Sequence, residues 1–371
     1  MNESAVSAIV LNYNGGARVA RCVAALLAQV SEVVVVDNGS TDESAEALER
    51  EFGARIRLVR TSENIGISRG RNLGARLAVA PLLLFVDNDA VAGDGMVTRL
   101  REALLADPAI AIAGAVSLDA RAADVVQATG PTFDRWGFTF DETAGLRVSE
   151  LPDAPVRDVF YVPGAALLIA ASTLAAIGGY DDEIFFGCED VDICWRARLY
   201  GYRVVSVRGA ACVHEGGGSI GFALAGSLYT PSLRQGRYRT SAYRITSREA
   251  NTFRIMLVNL DAGNLLYYLA IGLPTLALEM VTIALLGRLR VAGAYLRAFQ
   301  AMARGLRGTL ARRQTVQARR RVPDGAIVRL WSRRYQKLRF LRSNGVPQVF
   351  SAPARAQNGR SRLHGRRRRA K

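Results

Sequence analysis

Short apolar runs alternate with stretches of helix length from Ser7 to Val116, and this alternation restricts the fold more than any other feature of the chain. The apolar runs are Ser7–Leu11, Val33–Val36, Ile56–Val59, Leu82–Val86 and Ile110–Val116. Strands that alternate with helices of about ten to fifteen residues are typical of βαβ units, whose right-handed connections build a parallel sheet. The sequence therefore predicts an α/β protein with a mostly parallel sheet flanked by helices.

Polar side chains follow three of these strands at the point where each strand ends. Asn12 follows the first strand, Asp37 the second, and Asp87 and Asp89 the fourth. Because ligands bind beyond the carboxyl ends of the strands in open α/β sheets, we expect these side chains to line one site. Carboxylates in such a place, together with substrate phosphates, are able to hold a divalent metal ion. The alternative for Asp87-Asn88-Asp89 is an ordinary polar turn, since turns favour the same residue types.

A second acidic stretch, Phe185–Arg198, reads F-F-G-C-E-D-V-D-I-C-W-R-A-R. It places Glu189, Asp190 and Asp192 at the start of a predicted helix. Negative side chains stabilise the first turn of a helix through its dipole, so helix capping is a sufficient explanation for them. A catalytic role for the acids remains open beside it.

His214 is one of two histidines and lies 24 positions after Asp190, in a predicted loop over Ala211–Gly218. Its alternative role is a loop histidine hydrogen-bonded within the protein. The four cysteines fit no common zinc module and are expected to be reduced, mostly buried thiols. The N-terminus has no basic region followed by an apolar one, so we expect no secretory signal.

Positive charge is concentrated at the C-terminal end of the chain. Arg288 to Lys371 contains 24 Lys and Arg and one acid, a net charge of +23, whereas the preceding 287 residues carry a net charge of −7. A basic segment of this kind suits a nucleic-acid partner. Buried strands that end in carboxylates would repel phosphate, so nucleic-acid binding is kept as an alternative and not as the expected function.

Leu265–Leu286 is a mostly apolar stretch of 22 residues, interrupted by Pro274 and Glu279. Its length suits a membrane-spanning helix. Apolar residues then repeat with helical spacing, and we refer to them as the apolar seam: Leu289, Ala292, Leu296, Phe299, Ala303, Leu306 and Leu310. Arginines recur every seven residues on another face: Arg290, Arg297 and Arg304. Basic amphipathic helices lie on anionic membrane surfaces, and the alternatives are packing on the same domain or in a homodimer.

Taken together, these motifs resemble inverting family 2 glycosyltransferases of the GT-A fold, which has a Rossmann-like sheet, and especially their rhamnosyltransferase-like bacterial members. The resemblance runs from about Val6 to about Gly218 and is carried by five motifs in order: V-L-N-Y-N, V-V-V-D-N-G-S-T-D, E-N-I-G with R-N-L-G, V-D-N-D, and G-C-E-D-V-D-I-C-W-R-A-R. We expect a catalytic domain over residues 1–225. A helical, membrane-associating region over 226–311 and a basic, partly disordered tail over 312–371 would follow.

The resemblance also implies roles for individual residues. Asp190, with Glu189 beside it, would be the catalytic base, and Asp89 and His214 would hold Mn²⁺ or Mg²⁺ at the donor diphosphate. A neighbouring carboxylate, Glu189 or Asp192, would tend to raise the pKa of the base. The implied contacts of the donor nucleotide are Asn12, Asp37, Asn64, Gly66, Arg71 and Asp87.

The implied function is metal-dependent transfer of a sugar, rhamnose by resemblance, from a dTDP-, UDP- or GDP-sugar to a glycan or lipid-linked acceptor in cell-envelope polysaccharide synthesis. A sugar-phosphate nucleotidyltransferase is the other enzymatic alternative, although N-Y-N-G-G-A-R fits its glycine-rich loop poorly. Nucleotide sugars are cytosolic, and the positive-inside rule places the basic tail in the cytosol as well. We therefore expect a peripheral or monotopic protein on the inner face of the cell membrane, with Leu265–Leu286 as a re-entrant or in-plane hairpin.

Overall fold

The computed structural model describes residues 4–216, 239–344 and 348–349. Its strands, in chain order, are β1 (Val6–Asn12), β2 (Glu32–Asp37), β3 (Arg57–Arg60), β4 (Leu82–Asp87), β5 (Ala90–Ala92), β6 (Ile110–Asp119), β7 (Ala122–Ala128), β8 (Thr132–Phe133), β9 (Thr139–Phe140), β10 (Val156–Asp158), β11 (Ala166–Ala170), β12 (Arg203–His214), β13 (Arg239–Thr240) and β14 (Gln348–Val349).

The α-helices are α1 (Ala17–Leu27), α2 (Ser44–Phe52), α3 (Ile67–Leu77), α4 (Met96–Leu105), α5 (Ala171–Ala176), α6 (Glu189–Leu199), α7 (Ala242–Asn259), α8 (Ala262–Tyr267), α9 (Leu273–Leu285), α10 (Leu289–Ala318), α11 (Asp324–Val328) and α12 (Gln336–Asn344). A π-helical turn over Tyr268–Gly272 joins α8 to α9 without a break.

Eight strands form the main path of one sheet in the order β10-β12-β6-β11-β4-β1-β2-β3, with β5 paired to β12 and β7 paired to β6. The strands β1 to β4 are parallel, as the alternating pattern predicts. β11 lies between β4 and β6 and is antiparallel to both. The chain enters β11 at the edge where β4 ends, because Ala165 accepts a hydrogen bond from the Asp87 amide. The α/β class with flanking helices is confirmed, and the sheet is mixed.

The central strand β4 is buried on both faces of the sheet. Leu83 and Phe85 belong to the hydrophobic core that also contains Trp195 of α6. Leu82, Leu84 and Val86 belong to the core formed with α1 and α4 on the other face. Successive side chains of a strand point to opposite faces, so a continuous apolar run is what a strand covered on both sides requires.

The structure corrects the predicted loop over Ala211–Gly218. His214 is the last residue of β12, where it pairs with Ala90 of β5 and with Asp119 of β6. Three apolar residues just before it, Ala210, Cys212 and Val213, pack at the end of this long strand. Glycines Gly217 and Gly218 lie outside the described residues. The four cysteines are free thiols, three of them buried.

Helix α10 packs on its own protein through a stripe that includes Ala292 of the apolar seam but none of its leucines. Its buried residues include Val291, Tyr295, Ala298 and Met302. The leucines of the seam point outward instead, with Leu289 70% and Leu296 52% exposed. The alternative of packing on the same domain is therefore realised, and an apolar face still remains on the surface.

Residues after 312 extend the folded body, which corrects the position of the predicted tail. Arg313 and Gln317 donate hydrogen bonds to the last carbonyl groups of α7, from Leu257 to Leu260. Basic and amide groups stabilise a helix C-terminus in this way. The Trp331 ring lies 5.1 Å from the Trp195 ring in the core. The predicted disordered end lies largely outside the described residues.

In the described part of the chain, one helix is long and apolar enough to cross a membrane, Ala262–Leu285, with a mean hydropathy of 1.7. Glu279, the one acid within it, lies 2.8 Å from Lys337 Nζ and accepts a hydrogen bond from the Tyr295 hydroxyl. Lys337 also contacts Glu249 of α7 at 3.1 Å. These contacts attach one side of α9 to α7, α10 and α12, while Leu278 and Leu285 stay exposed.

Candidate active site

Asp87, Asp89 and His214 meet where β4 and β12 end and β5 begins. His214 Nε2 lies 3.1 Å from Asp89 Oδ1 and 3.8 Å from Asp87 Oδ2. One ligand atom from each residue lies within 4.8 Å of the others. The pairing of His214 with Ala90 brings the imidazole to the carboxylates. The two predicted metal ligands, Asp89 and His214, therefore form one cluster with Asp87, which the resemblance placed among the nucleotide contacts. We call these three residues the metal-side cluster.

Gln127 of β7 orients the His214 ring. Its amide Oε1 lies 2.6 Å from His214 Nδ1, and its Nε2 donates to the His214 carbonyl at 3.3 Å. An amide oxygen only accepts, so Nδ1 carries a proton, and Nε2 is the nitrogen that faces the carboxylates and that would bind a cation once it is deprotonated. A second partner of this kind usually fixes a metal-binding histidine. Gln127 was not among the predicted site residues, because it lies after the predicted strand Ile110–Val116 and no local motif marks it.

The cluster suits a divalent cation of the magnesium or manganese type. Carboxylate oxygens are the preferred protein ligands of Mg²⁺ and Mn²⁺, and a neutral imidazole is a further nitrogen ligand. Burial lowers the pKa of His214, but the hydrogen bond and charge of Asp89 outweigh it and raise this pKa. Burial raises the pKa of Asp87, against the opposing charges of Arg71 and His214. The raised pKa of His214 reflects the negative charge of the acids beside it, which a cation would neutralise.

The acid pair lies at the first turn of α6. Glu189 is buried, whereas Asp190 is partly exposed and accepts a hydrogen bond from the Gly164 amide at 3.1 Å. Burial, followed by the charge of Asp190, raises the pKa of Glu189 to about 7. Burial also raises the pKa of Asp190, although the Val191 amide opposes the shift. Asp190 is therefore the acid of the pair that is accessible to an acceptor.

Asp192 has a structural role. It forms a buried ion pair with Arg196 one turn later, at 2.8 Å, and accepts a hydrogen bond from Asn259 of α7. Burial is the largest cause of the raised pKa of Asp190, and the acid among its main causes is Asp87, in place of the expected Glu189 or Asp192. The two acids at the start of α6 thus differ in role from the third.

Arg71 of α3 is buried between the metal-side cluster and the acid pair. Its Nη2 donates to Asp87 Oδ1 at 2.7 Å and to the Gly164 carbonyl at 2.9 Å. Its Nη1 lies 3.7 Å from Glu189 Oε1. Only 3% of the Arg71 side chain is exposed. We therefore infer that Arg71 positions the carboxylates, whereas the resemblance placed it on the surface of the nucleotide pocket.

The remaining predicted nucleotide residues form a hydrogen-bonded group at the ends of β1 and β2. Asn12 donates to Asp37 Oδ1 at 2.8 Å. Asn38 donates to Asn64 Oδ1 at 3.0 Å, and the same oxygen accepts the Gly66 amide. Asn88 joins this group to the metal-side cluster through Asn12 Oδ1 at 3.5 Å. The structure thus brings the predicted site residues together at one edge of the sheet.

Gly66 directly precedes α3 and has a φ of +89°, and a Cβ atom there would lie 2.8 Å from the Phe185 ring. Only glycine adopts this backbone conformation without strain. The close approach of Phe185 joins the nucleotide-side loop to the segment that leads into α6.

Comparison with known proteins finds similarity to one family over the N-terminal part. Residues 7–137 match the model of glycosyl transferase family 2. The chain is 29% identical over 176 residues to the pre-mycofactocin glycosyltransferase of Mycobacterium tuberculosis, covering 46% of this chain and 35% of that protein. It is 38% identical over 96 residues to validoxylamine A glucosyltransferase of Streptomyces hygroscopicus, covering 24% of this chain and 22% of that protein. The matched region is therefore a minor part of each relative.

A solved structure extends the likeness in fold. GalNAc-T7, crystallised with UDP, GalNAc and Mn²⁺, superposes with a TM-score of 0.55 at 14% identity, covering 70% of this chain and 49% of that one. This likeness confirms the GT-A type of α/β fold. The family resemblance inferred from the motifs is confirmed, and no comparison bears on the rhamnosyl subgroup.

Proposed function

From the match of residues 7–137 to glycosyl transferase family 2, we propose that this protein is a metal-dependent, inverting glycosyltransferase with a nucleotide-sugar donor. One observation carries the proposal: Arg71 lies between Asp87 of the metal-side cluster and Glu189 of the acid pair, in contact with both. Sugar transfer from a diphosphate needs charge neutralisation at the leaving group and removal of a proton at the acceptor. The two groups of acids are suited to these two tasks.

On the donor side, Asp89 and His214, with Asp87 beside them, would hold Mn²⁺ or Mg²⁺. When bound, this ion supplies Lewis-acid neutralisation of the diphosphate. Asn12, Asp37, Asn64 and Gly66 are the proposed nucleotide contacts, through the group of side chains and the glycine turn at the ends of β1 and β2. Arg71 would act by positioning Asp87.

On the acceptor side, Asp190 is the proposed general base. Its carboxylate takes the proton of the acceptor hydroxyl while the hydroxyl oxygen bonds to the anomeric carbon. The bond from that carbon to the donor diphosphate breaks at the same time, and the nucleoside diphosphate departs with the electron pair. A single displacement of this kind inverts the anomeric configuration. Glu189, with a pKa of about 7, is largely protonated below neutral pH and then adds no second charge beside the base.

We further propose rhamnose, carried by dTDP, as the sugar, with UDP- and GDP-sugars as the alternatives. The acceptor would be a glycan or lipid-linked saccharide of cell-envelope polysaccharide synthesis. The motif resemblance supports these choices. Residues 1–225 are proposed as the catalytic domain and 226–311 as the membrane-associating region, with 312–344 added to the folded body.

The exposed apolar surface supports association with the inner face of the cell membrane. Leu266, Leu278 and Leu285 of the α8–α9 helix are 69%, 66% and 84% exposed. The contact of Glu279 with Lys337 holds the opposite side of this helix on the protein. A helix fixed along one side and apolar along the other suits an in-plane position at the bilayer surface. The exposed arginines of α10 would face anionic lipid headgroups.

A thermal-shift screen of the purified protein against UDP, dTDP, GDP and CMP, each with and without Mn²⁺, tests the function. A ligand that binds only the native state raises the melting temperature. We expect one nucleoside diphosphate to raise it, and only with Mn²⁺ present. Absence of a shift with every nucleotide, in protein shown to be folded, would contradict the proposal.

The released product separates the alternatives. Glycosyl transfer or slow donor hydrolysis releases a nucleoside diphosphate, whereas a sugar-phosphate nucleotidyltransferase exchanges inorganic pyrophosphate. Measuring both products from the nucleotide sugar selected by the screen decides between them. Tight, salt-sensitive binding of duplex DNA that survives removal of residues 345–371 would instead favour a nucleic-acid partner.

A further inference from the structure

Helix α7 packs against the segment that leads to the proposed base. Asn251 Nδ2 donates to the carbonyl oxygens of Phe186 and Gly187, both at 2.9 Å. These two residues lie directly before α6, which begins at Glu189. The position of α7 is therefore fixed relative to the segment that carries the acid pair.

Two arginines lie one turn apart on α7, on the side of this segment. Arg244 lies over the Phe186 ring at 5.9 Å, and Arg248 lies over the Phe138 ring at 5.7 Å. Residues at positions i and i+4 of a helix share one face, so the two guanidinium groups are neighbours. Stacking on aromatic rings restricts the orientation of both groups. Arg248 also contacts Glu249 at 2.8 Å and remains 30% exposed.

An apolar tip lies at the same end of α7. We use this name for Leu285, Leu286 and Leu289, at the turn between α9 and α10, which are 84%, 61% and 70% exposed. Ile245 of α7 packs with Ile283 of α9 and with residues of α10 in one buried cluster. The first turns of α7 are thus in contact with the apolar tip's own helices on one side and with Phe186 on the other.

We propose that Arg244 and Arg248 bind the phosphate or diphosphate group of a lipid-linked acceptor, whose hydrocarbon chain lies against the apolar tip. The proposal rests on the proposed transferase function. Guanidinium groups bind phosphate oxygens in bidentate geometry, and an interfacial position excludes part of the competing water. A saccharide joined to that phosphate would extend from the arginines towards Asp190.

The site is distinct from the one proposed for the donor diphosphate. That diphosphate is assigned to the cluster of Asp87, Asp89 and His214, which lies on the far side of the buried Arg71 from Glu189. The arginine pair of α7 lies on the Phe186 side of the acid pair. Two separate phosphate sites are what a transfer between two phosphorylated substrates requires.

The test is a binding measurement on the full chain, with farnesyl diphosphate, farnesol and inorganic pyrophosphate as probes. Each titration contains Mn²⁺ and a saturating amount of the nucleoside diphosphate from the thermal-shift screen, so that the donor site is filled. We expect farnesyl diphosphate to bind at least about 10-fold more tightly than either other probe. Equal affinity for farnesol, or for pyrophosphate, would overturn the lipid-phosphate assignment.

Variants locate the binding. Arg244→Gln and Arg248→Gln are each expected to weaken farnesyl diphosphate binding about 10-fold or more, and Arg→Lys at either position to weaken it less. Arg50→Gln, an exposed arginine at the end of α2, is the matched control and should leave it unchanged. Unchanged binding in both Gln variants would overturn the proposal.

Two further measurements separate other causes. The metal-dependent nucleotide shift should be retained in every variant, which shows that the fold and the donor site are intact; its absence from the unaltered protein would contradict the proposed function itself. Vesicles of phosphatidylglycerol and of phosphatidylcholine test bulk headgroups. An equal loss of phosphatidylglycerol binding in the Gln variants would assign the arginines to the membrane surface and overturn the acceptor site.

Discussion

The guanidinium group of Arg71 lies 3.7 Å from the carboxylate of Glu189, and both side chains are almost fully shielded from solvent. The other terminal nitrogen of the same arginine bonds to Asp87 at 2.7 Å. One cation therefore touches an acid from each half of the proposed site. Removing it would leave both carboxyl groups without their shared partner.

Arg71→Met is expected to lower the free energy of unfolding by about 3 kcal/mol, because loss of one partner leaves buried charge uncompensated. Arg76→Met, on the exposed side of the same helix, should change it by less than about 0.5 kcal/mol. Urea unfolding of both variants checks the difference. If Arg71→Met changed the free energy of unfolding as little as Arg76→Met, water or rearranged side chains would be replacing the Arg71 contacts.

Glu189→Gln is expected to change the pH dependence of stability. The pKa of Glu189 is raised by burial to about 7, so the native state holds this proton where the unfolded chain loses it. The native protein should therefore lose stability as pH rises from about 4.5 to about 7, by on the order of 3 kcal/mol. Below pH 4.5 the effect should vanish.

Melting temperatures at pH 5 and pH 8 measure this effect. The melting temperature of Glu189→Gln should rise relative to that of the unaltered protein between pH 5 and pH 8. The melting temperature of the exposed control Glu51→Gln should not. A difference between Glu189→Gln and the unaltered protein that is independent of pH would show that Glu189 titrates normally.

Asp190→Asn should lower the rate of sugar transfer by roughly 10²- to 10⁴-fold, the usual contribution of a general base. The metal-dependent thermal shift with nucleotide should remain, because Asp190 lies on the acceptor side. Transfer assays and thermal shifts on the same preparation check both. Loss of nucleotide binding in this variant would show that the base has been misassigned.

Gln127→Leu should weaken Mn²⁺ binding by about 10- to 100-fold, as is usual when the partner of a metal-binding histidine is removed. Titration of the protein with Mn²⁺, followed by electron paramagnetic resonance, measures this directly. Asp89→Asn is the positive control and Gln300→Leu, on the exposed face of α10, the negative one. Gln127→Leu with the affinity of the unaltered protein would exclude the orienting role.

Lys337→Met should lower the free energy of unfolding by about 3 kcal/mol, because Glu279 would lose its cation and Glu249 would keep only Arg248. Amide hydrogen exchange of α9 should rise in the same variant. The double variant Lys337→Met/Glu279→Gln should recover part of the loss. Additive losses in the double variant would argue against a direct interaction.

Features that depend on local periodicity were predictable from the sequence, and those that depend on distant partners were not. The buried strand before Asp87 and the acids of α6 follow from runs of adjacent residues. The antiparallel β11, the Gln127 contact and the burial of Arg71 depend on partners far away in the chain. The apolar seam was a regular pattern too, but the stripe with Tyr295 packs inward, because spacing alone does not say which face meets the protein.

The position of Trp331 has a consequence for the order in which the protein is made and folded. Its ring packs among Phe133, Phe160 and Trp195 in the core of the catalytic part. Domains generally fold from the N-terminus as the chain leaves the ribosome. We therefore expect the aromatic surface formed by Phe133, Phe160 and Trp195 to stay uncovered in the nascent chain until Trp331 has been synthesised. Hydrophobic surface that is transiently exposed in this way makes a partly folded chain prone to aggregation.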